Sequence, residues 1–322
     1  HTRLQGDWSS DVCSSDLKSR GLSGQTAADF ELGYAPPGWD NLINGIGKSD
    51  AALQRLDRIG LVIRKESGGY YDRFRERIIY PIRDQRGRAI GLGGRVLGDG
   101  TPKYLNSPET PIFHKGRELY GLYHARRKLK EISSLFVVEG YMDVLALAQY
   151  GIHNAVATLG TAVTPEHLDR LFKISSRIIF CFDGDTAGRN AAWRALETAL
   201  PLLREGRSVY FMFMPAGEDP DSMVRRQGPQ QFTDPAQHVP LSDYLLGTLR
   251  QDLDLTTREG RAQLAEKTSP LLARLPAGAL LELLIKDLAS ICQLSPDALR
   301  ALISDRTADQ EQKPEARNIS RT

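Results

Sequence analysis

Leu135-Phe136-Val137-Val138-Glu139-Gly140, Ile178-Ile179-Phe180-Cys181-Phe182-Asp183-Gly184-Asp185 and the run 209–214 leading into Glu218-Asp219-Pro220-Asp221 share one pattern: a short apolar stretch that stops at acids. Continuous apolar runs rich in β-branched and aromatic residues, each followed by a helix-like segment, are the pattern of buried parallel strands. In such a sheet the loops at the carboxyl ends of the strands share one crevice. Glu139, Asp183, Asp185, Asp219 and Asp221 therefore converge on it.

Convergence of carboxylates is costly. Two of them about 6 Å apart repel by about 3 kcal/mol at an effective dielectric of about 20, so protons or cations must offset the charge. Hard oxygen donors with no His or Cys beside them suit Mg²⁺ or Mn²⁺ rather than Zn²⁺. A single strand-end Asp is often only the N-cap of the next helix, and Asp185 reads equally well that way. Capping explains the position of these acids at three strand ends but not their number.

Helical periods flank the acidic stretch. Residues 142–150 form one helix closed by Gly151, Thr164-Pro165-Glu166 opens another with Thr as cap and Pro in the first position, and 187–203 is a long third. With strands at 155–159 and near Tyr210, residues 131–235 take a βαβαβαβ order, which implies a parallel sheet with right-handed crossovers. Residues 18–130 begin with short helices capped by Ser23 and Ser49, then turn to strands at 78–82 and 89–97 around Asp84-Gln85-Arg86-Gly87. Gly91, Gly93 and Gly94 strip side chains from one part of that sheet, where backbone or ligand is expected to approach. Between positions 64 and 130 stand 16 Lys/Arg against 7 Asp/Glu, an excess of 9 in a chain whose net charge is +2. A basic lobe beside an acidic crevice suits a polyanion.

Residues 236–304 hold only helical patterns, broken at Pro270 and at Pro276-Ala277-Gly278 and restarted by Ser295-Pro296. Residues 305–322 are polar and read as a disordered linker. Residues 1–17 show neither period and read as a non-native leader, a cloning or assembly remnant outside the fold. The overall class is α/β (mixed α+β): a parallel sheet flanked by helices, with an N-terminal basic α+β subdomain and a C-terminal helical one. No apolar run approaches the ~20 residues of a membrane span, so a cytoplasmic protein with no membrane contact is expected. Cys13, Cys181 and Cys292 are too far apart for a zinc or disulfide framework.

Glu139-Gly140-Tyr141-Met142-Asp143, Phe182-Asp183-Gly184-Asp185-Thr186-Ala187-Gly188 and Glu218-Asp219-Pro220-Asp221 resemble the three acidic motifs of a Toprim domain, in detail those of bacterial DNA primases. Tyr80-Pro81-Ile82-Arg83-Asp84, Gly93-Gly94-Arg95-Val96-Leu97, Pro102-Lys103-Tyr104-Leu105-Asn106-Ser107-Pro108-Glu109-Thr110 and Phe113-His114-Lys115-Gly116 resemble segments of the same catalytic core. The resemblance spans residues 18–303. It implies a nucleotidyltransferase that joins ribonucleoside triphosphates into short RNA primers on single-stranded DNA at the replication fork. It implies two or more Mg²⁺ or Mn²⁺ ions, with Asp183 as central ligand, Asp185, Asp219 and Asp221 completing the sites, and Glu139 as ligand or general base.

By the same resemblance Arg95, Lys103 and Lys115 contact nucleotide or template phosphates. Arg20 and Arg77 are candidates of the same kind, and Asn106 a polar contact. Arg83, Arg86, Arg88 and Arg126-Arg127-Lys128 read instead as a solvated face. His114, His124, His153 and His167 form no ligand spacing and read as surface or capping residues. The zinc-binding and helicase-interaction domains of full primases are expected to be missing, so that no zinc is held and the replicative helicase is met through a domain absent here; a monomer is expected. A Toprim nuclease would use the same acids. A topoisomerase would need a nucleophilic tyrosine in a separate domain, and a non-catalytic replisome scaffold has no reason to keep five uncompensated acids together.

Overall fold

The computed structural model describes residues 11–98 and 100–311. Helix α1 (Asp11–Ser19) leads into α2 (Gly24–Asp29), capped by Ser23, whose Oγ accepts the Thr26 N–H at 3.1 Å. Leu17 is buried in the same apolar cluster as Leu22 and Phe30, and Asp16 pairs with Arg20 at 2.8 Å. The expectation that residues 1–17 stand outside the fold is thus corrected for its described part. One core-facing leucine and an i,i+4 ion pair seat this helix.

Strand β1 (Gly33–Ala35) is followed by α3 (Asn41–Ile46), α4 (Asp50–Arg58), the pair β2 (Val62–Arg64) and β3 (Tyr70–Asp72), then β4 (Arg77–Arg83), β5 (Ala89–Val96) and β6 (Tyr104–Asn106). β1-β4-β5-β6 is an antiparallel sheet. The β4–β5 turn forms where expected: Asp84 Oδ1 accepts the N–H groups of Arg86 and Arg88, both at 2.9 Å. The glycines of β5 admit aromatic rings rather than ligand. A Cβ at Gly93 would lie 2.5 Å from the Tyr141 ring, and one at Gly94 2.7 Å from Phe74. Gly93→Ala is therefore expected to cost about 1–3 kcal/mol by overpacking, measurable as a lower urea midpoint with an unchanged m-value.

After α5 (Leu122–Lys128) come β7 (Leu135–Val138), α6 (Tyr141–Gln149), β8 (Ala155–Ala157), α7 (Pro165–Phe172), β9 (Arg177–Phe182), α8 (Thr186–Ala199), β10 (Ser208–Phe213), α9 (Pro220–Gln227), α10 (Gln230–Thr233) and β11 (Val239–Pro240). The sheet order is β11-β10-β9-β7-β8. The four anticipated strands run parallel, and an unanticipated two-residue β11 closes the β10 edge antiparallel. One sheet face packs on α6, α9 and the basic lobe, and the other on α7, α8 and the C-terminal helices. Cys181 is buried as a plain core residue.

The last four helices are α11 (Leu241–Arg250), α12 (Arg258–Leu272), α13 (Ala279–Cys292) and α14 (Pro296–Glu311). Two expectations need correction. Pro270 does not break α12, because in the last turn its ring removes only one ladder hydrogen bond before the helix ends. The supposed linker begins as helix: α14, anchored by buried Leu299 and Ile303, continues to Glu311, and residues 312–322 lie outside the described part.

Candidate active site

The chain reverses its sheet order at β7, with its successor β8 on one side and β9 on the other. Ligand crevices of open α/β sheets lie at that switch point. Val137 pairs with Phe180, and Phe213 with Phe182. Glu139 and Asp183, each the first residue past its strand, thus stand on neighbouring strands about 4.8 Å apart. Asp185 caps α8, its Oδ1 accepting the Gly188 N–H at 2.7 Å, and Asp219 caps α9 through Ser222 N–H at 2.7 Å. The capping reading thus holds for Asp185 and extends to Asp219, while both stand at strand ends of the same sheet. Asp221, in the first turn of α9, pairs with Arg225. Gly184 is required here: a Cβ would sit 2.2 Å from the Met214 carbonyl oxygen, so only glycine lets the Asp183–Asp185 loop lie against the one that leads to Asp219.

The carboxylates feel one another. Asp183 is half-buried and its pKa is raised by desolvation, then by Asp219 and Asp185. Glu139 stays exposed at the rim, yet desolvation, Asp183 and Asp185 raise it too, with Arg194 opposing. Asp221 is raised by burial and by Asp219 in spite of Arg225. A sixth acid was not assigned a role from sequence. Asp143, 8% exposed in α6, accepts the Gly140 N–H at 2.9 Å and is pushed up to about 8 by burial, Asp219, Asp221 and Asp183.

Among the described residues no three His, Cys, Asp or Glu side chains are gathered to hold a metal ion. Uncompensated charges repel, and helix caps and Arg225 draw some of them aside. The donor chemistry nevertheless fits a hard divalent cation: all-oxygen, at least five carboxylates, raised proton affinities that a cation would relieve.

On the basic side the candidates separate. Arg95 is 6% exposed, its guanidinium lies 5.6 Å from the Tyr104 ring, and its Nε and Nη1 find no partner. Buried unpaired donors on a charged group are costly and point to an anion. Tyr104 has Arg95 against its ring on one side and the ring of Tyr141, two residues past Glu139, 6.3 Å away on the other, so the basic lobe meets the end of β7 there. Lys103 is exposed and Lys115 half-buried. The other three carry structural bonds. Arg20 is tied to Asp16, and Arg77 is buried with Nη1 3.4 Å from the carbonyls of Gly94 and Lys103. Asn106 donates to the Leu159 carbonyl and accepts from Tyr141 Oη, both at 2.8 Å, so its carboxamide ties the two lobes.

An aromatic platform was also missed. Trp39 is 61% exposed, with Arg75 stacked 4.2 Å from its ring and Tyr71 edge-on at 5.5 Å. Asp72 holds it: its N–H donates to the Trp39 carbonyl at 2.8 Å and its carboxylate accepts the Leu42 N–H at 2.6 Å at the start of α3. The alternation Tyr71, Arg73, Arg75 was its sequence signal. His167 is a capping residue, as one of the two expected readings has it, and is fully buried; His124 departs from expectation, stacking 4.2 Å from Phe30 with burial holding its pKa down to about 4.

Residues 2–126 match the family described as DNA primase catalytic core, N-terminal domain, 136–224 match Toprim-like, and 242–297 match the DnaB-helicase binding domain of primase. The last match corrects the expectation that a helicase-interaction domain is missing: α11–α13 are short, leucine-faced helices whose periodicity reads as plain core. The first match also takes in most of the segment expected to lie outside the resemblance. A DNA primase of Pseudomonas aeruginosa is 54% identical over 89% of this chain, which spans 44% of that relative's length. A crystal structure of a DNA primase domain from Pseudomonas aeruginosa is 51% identical, covers 94% of this chain and 95% of its own, and superimposes with a TM-score of 0.89. A structure of the DnaG primase catalytic domain bound to ssDNA is 49% identical over 89% of this chain and 91% of its own, with a TM-score of 0.85. Acids at the switch point, a basic lobe across Tyr104 and these relatives agree, and the chain belongs to the bacterial DNA primase family.

Proposed function

We propose that the chain joins ribonucleoside triphosphates into RNA on a single-stranded DNA template, releasing pyrophosphate. The observation that carries this reading is the approach, at Tyr104, of a buried arginine with two unpaired donors to the acid-bearing end of β7. A 3′-hydroxyl attacks the α-phosphorus, forming the new O–P bond as the bond to pyrophosphate breaks. Asp183, Asp185, Asp219, Asp221 and Asp143 would hold divalent cations, which when bound would supply charge neutralisation for phosphoryl transfer. Glu139, whose proton affinity is raised, takes the hydroxyl proton. Arg95 offers its guanidinium charge and unpaired donors to phosphate, and Lys103 and Lys115 add point charges. Trp39 with Arg75 and Tyr71 presents a face on which a template base stacks. The replicative helicase is the proposed partner of α11–α13, on the match of residues 242–297.

A labelled RNA primer annealed to DNA, with ribonucleotides and Mg²⁺, tests the reaction. Longer RNA is the expected product; shortened DNA would turn the reading to a nuclease, and no change in either strand would overturn both. Lys103→Ala and Lys115→Ala should weaken binding of single-stranded DNA or of nucleotide. Where the removed lysine neutralises one template phosphate, the slope of log affinity against log salt should fall in magnitude by about 0.7. An unchanged slope and an unchanged nucleotide KM would return both lysines to the solvated face.

A further inference from the structure

We infer that His167 is a positioning residue that sets where Lys115 points, acting from the Toprim lobe on a loop of the basic lobe. The inference rests on the reading that Lys115 contacts phosphate. His167 is 0% exposed, three residues past the N-cap Thr164 of α7. Its Nδ1 accepts the Thr164 N–H at 3.3 Å, while Thr164 Oγ1 accepts the His167 N–H at 3.1 Å. A ring nitrogen that accepts carries no proton, so the proton is on Nε2. Nε2–H lies 2.9 Å from the Lys115 carbonyl and 3.2 Å from that of Glu118, to which it donates.

The neighbouring contacts hold the same loop. Thr164 Oγ1 donates to the Gly116 carbonyl at 2.6 Å, and Arg170, the next turn along, pairs with Glu118 at 2.6 Å. From the far side Glu109 Oε1 accepts the Lys115 N–H at 3.0 Å. Both backbone groups of Lys115 are therefore tied, one to Glu109 and one to His167. Burial lowers the pKa of His167, which keeps the neutral tautomer that this geometry needs. A lysine brings a point charge on a four-carbon stem with large rotamer freedom, so its useful reach depends on a fixed backbone. A misplacement near 1 Å can cost up to about 100-fold in rate.

The test compares His167→Asn, His167→Gln, Lys115→Ala and the double variant Lys115→Ala/His167→Asn in the full chain, by primer extension and thermal melting. The Asn oxygen replaces Nδ1 and keeps the cap but cannot reach the Lys115 carbonyl. The Gln amide reaches the Nε2 place and keeps that donor while the cap is lost. Whichever parameter Lys115→Ala moves, ribonucleotide KM or template salt slope, His167→Asn should move the same way, about tenfold for KM with kcat within twofold. His167→Gln should stay near the parent value even with a lower Tm. The double variant should show no more loss than Lys115→Ala alone. Lys115→Ala active but His167→Asn silent, or the two losses multiplying, would overturn the positioning role. Should His167→Asn not fold, a raised KM in His167→Gln would do the same. If Lys115→Ala moves neither parameter, the reading of Lys115 fails and the inference with it.

Discussion

Asp183→Asn should lower kcat for ribonucleotide incorporation by at least about 100- to 1,000-fold, the loss seen when one group that stabilises transition-state charge is removed. Asp183 is the first residue past β9, half-buried, and opposed by Asp219 and Asp185. Asparagine keeps its volume and removes a charge that repels its neighbours. The variant should melt no lower than the parent, so the loss is chemical rather than structural. Near-parent kcat at saturating Mg²⁺ would remove Asp183 from the centre of the site.

Asp143→Asn should stabilise the metal-free protein at pH 8. The folded carboxyl titrates at about 8 against an ordinary 3.8, because burial and then Asp219, Asp221 and Asp183 disfavour its charge. Between those values the folded chain keeps a proton that the unfolded chain releases, so stability falls as pH rises across that window, by up to about 1.4 kcal/mol per unit. Glu139, Asp183 and Asp221 are raised as well and act with the same sign. The Asn oxygen still accepts the Gly140 N–H. Urea unfolding in EDTA should therefore find the variant about 3–5 kcal/mol more stable than the parent at pH 8, with the gap closing toward pH 4. Mg²⁺ at pH 8 should restore the parent more than the variant, since a ligand of the folded state stabilises by mass action. Parallel pH curves for the two proteins would contradict the burial and coupling of Asp143.

What could be read from the chain followed from short-range rules. β7, β9 and β10 are continuous apolar runs, and Ser23, Ser49, Thr164 and Ser295 all cap the helices that their spacing predicts. Short-range rules failed where a residue's role is decided by a distant partner. Gly93 looked like an opening for ligand, but Tyr141, far along the chain, fills it. Arg77 and Asn106 stand in motifs that suggest phosphate or template contact, and the structure adds bonds no local rule foresees, from Arg77 Nη1 to the carbonyls of Gly94 and Lys103 and from Asn106 to Leu159 and Tyr141. Trp39 became a platform only through Tyr71 on β3 and Arg75 in the loop after it, which no local rule joins to it. Asp143 did leave a trace: an acid inside the otherwise apolar Tyr141-Met142-Asp143-Val144-Leu145-Ala146-Leu147. A buried carboxylate without a cation partner is rare enough to be a functional signal.

If the crevice and the basic lobe together copy a template into RNA, the template base must decide which ribonucleotide enters. The most direct measurement offers each of the four labelled ribonucleotides in turn to the protein on an oligo(dT) template bearing an annealed oligo(A) primer, with Mg²⁺, beside the Asp183→Asn variant. Incorporation of ATP alone is expected, and almost none by the variant. Incorporation of all four ribonucleotides alike, or equal incorporation by the variant, would contradict template copying at this site.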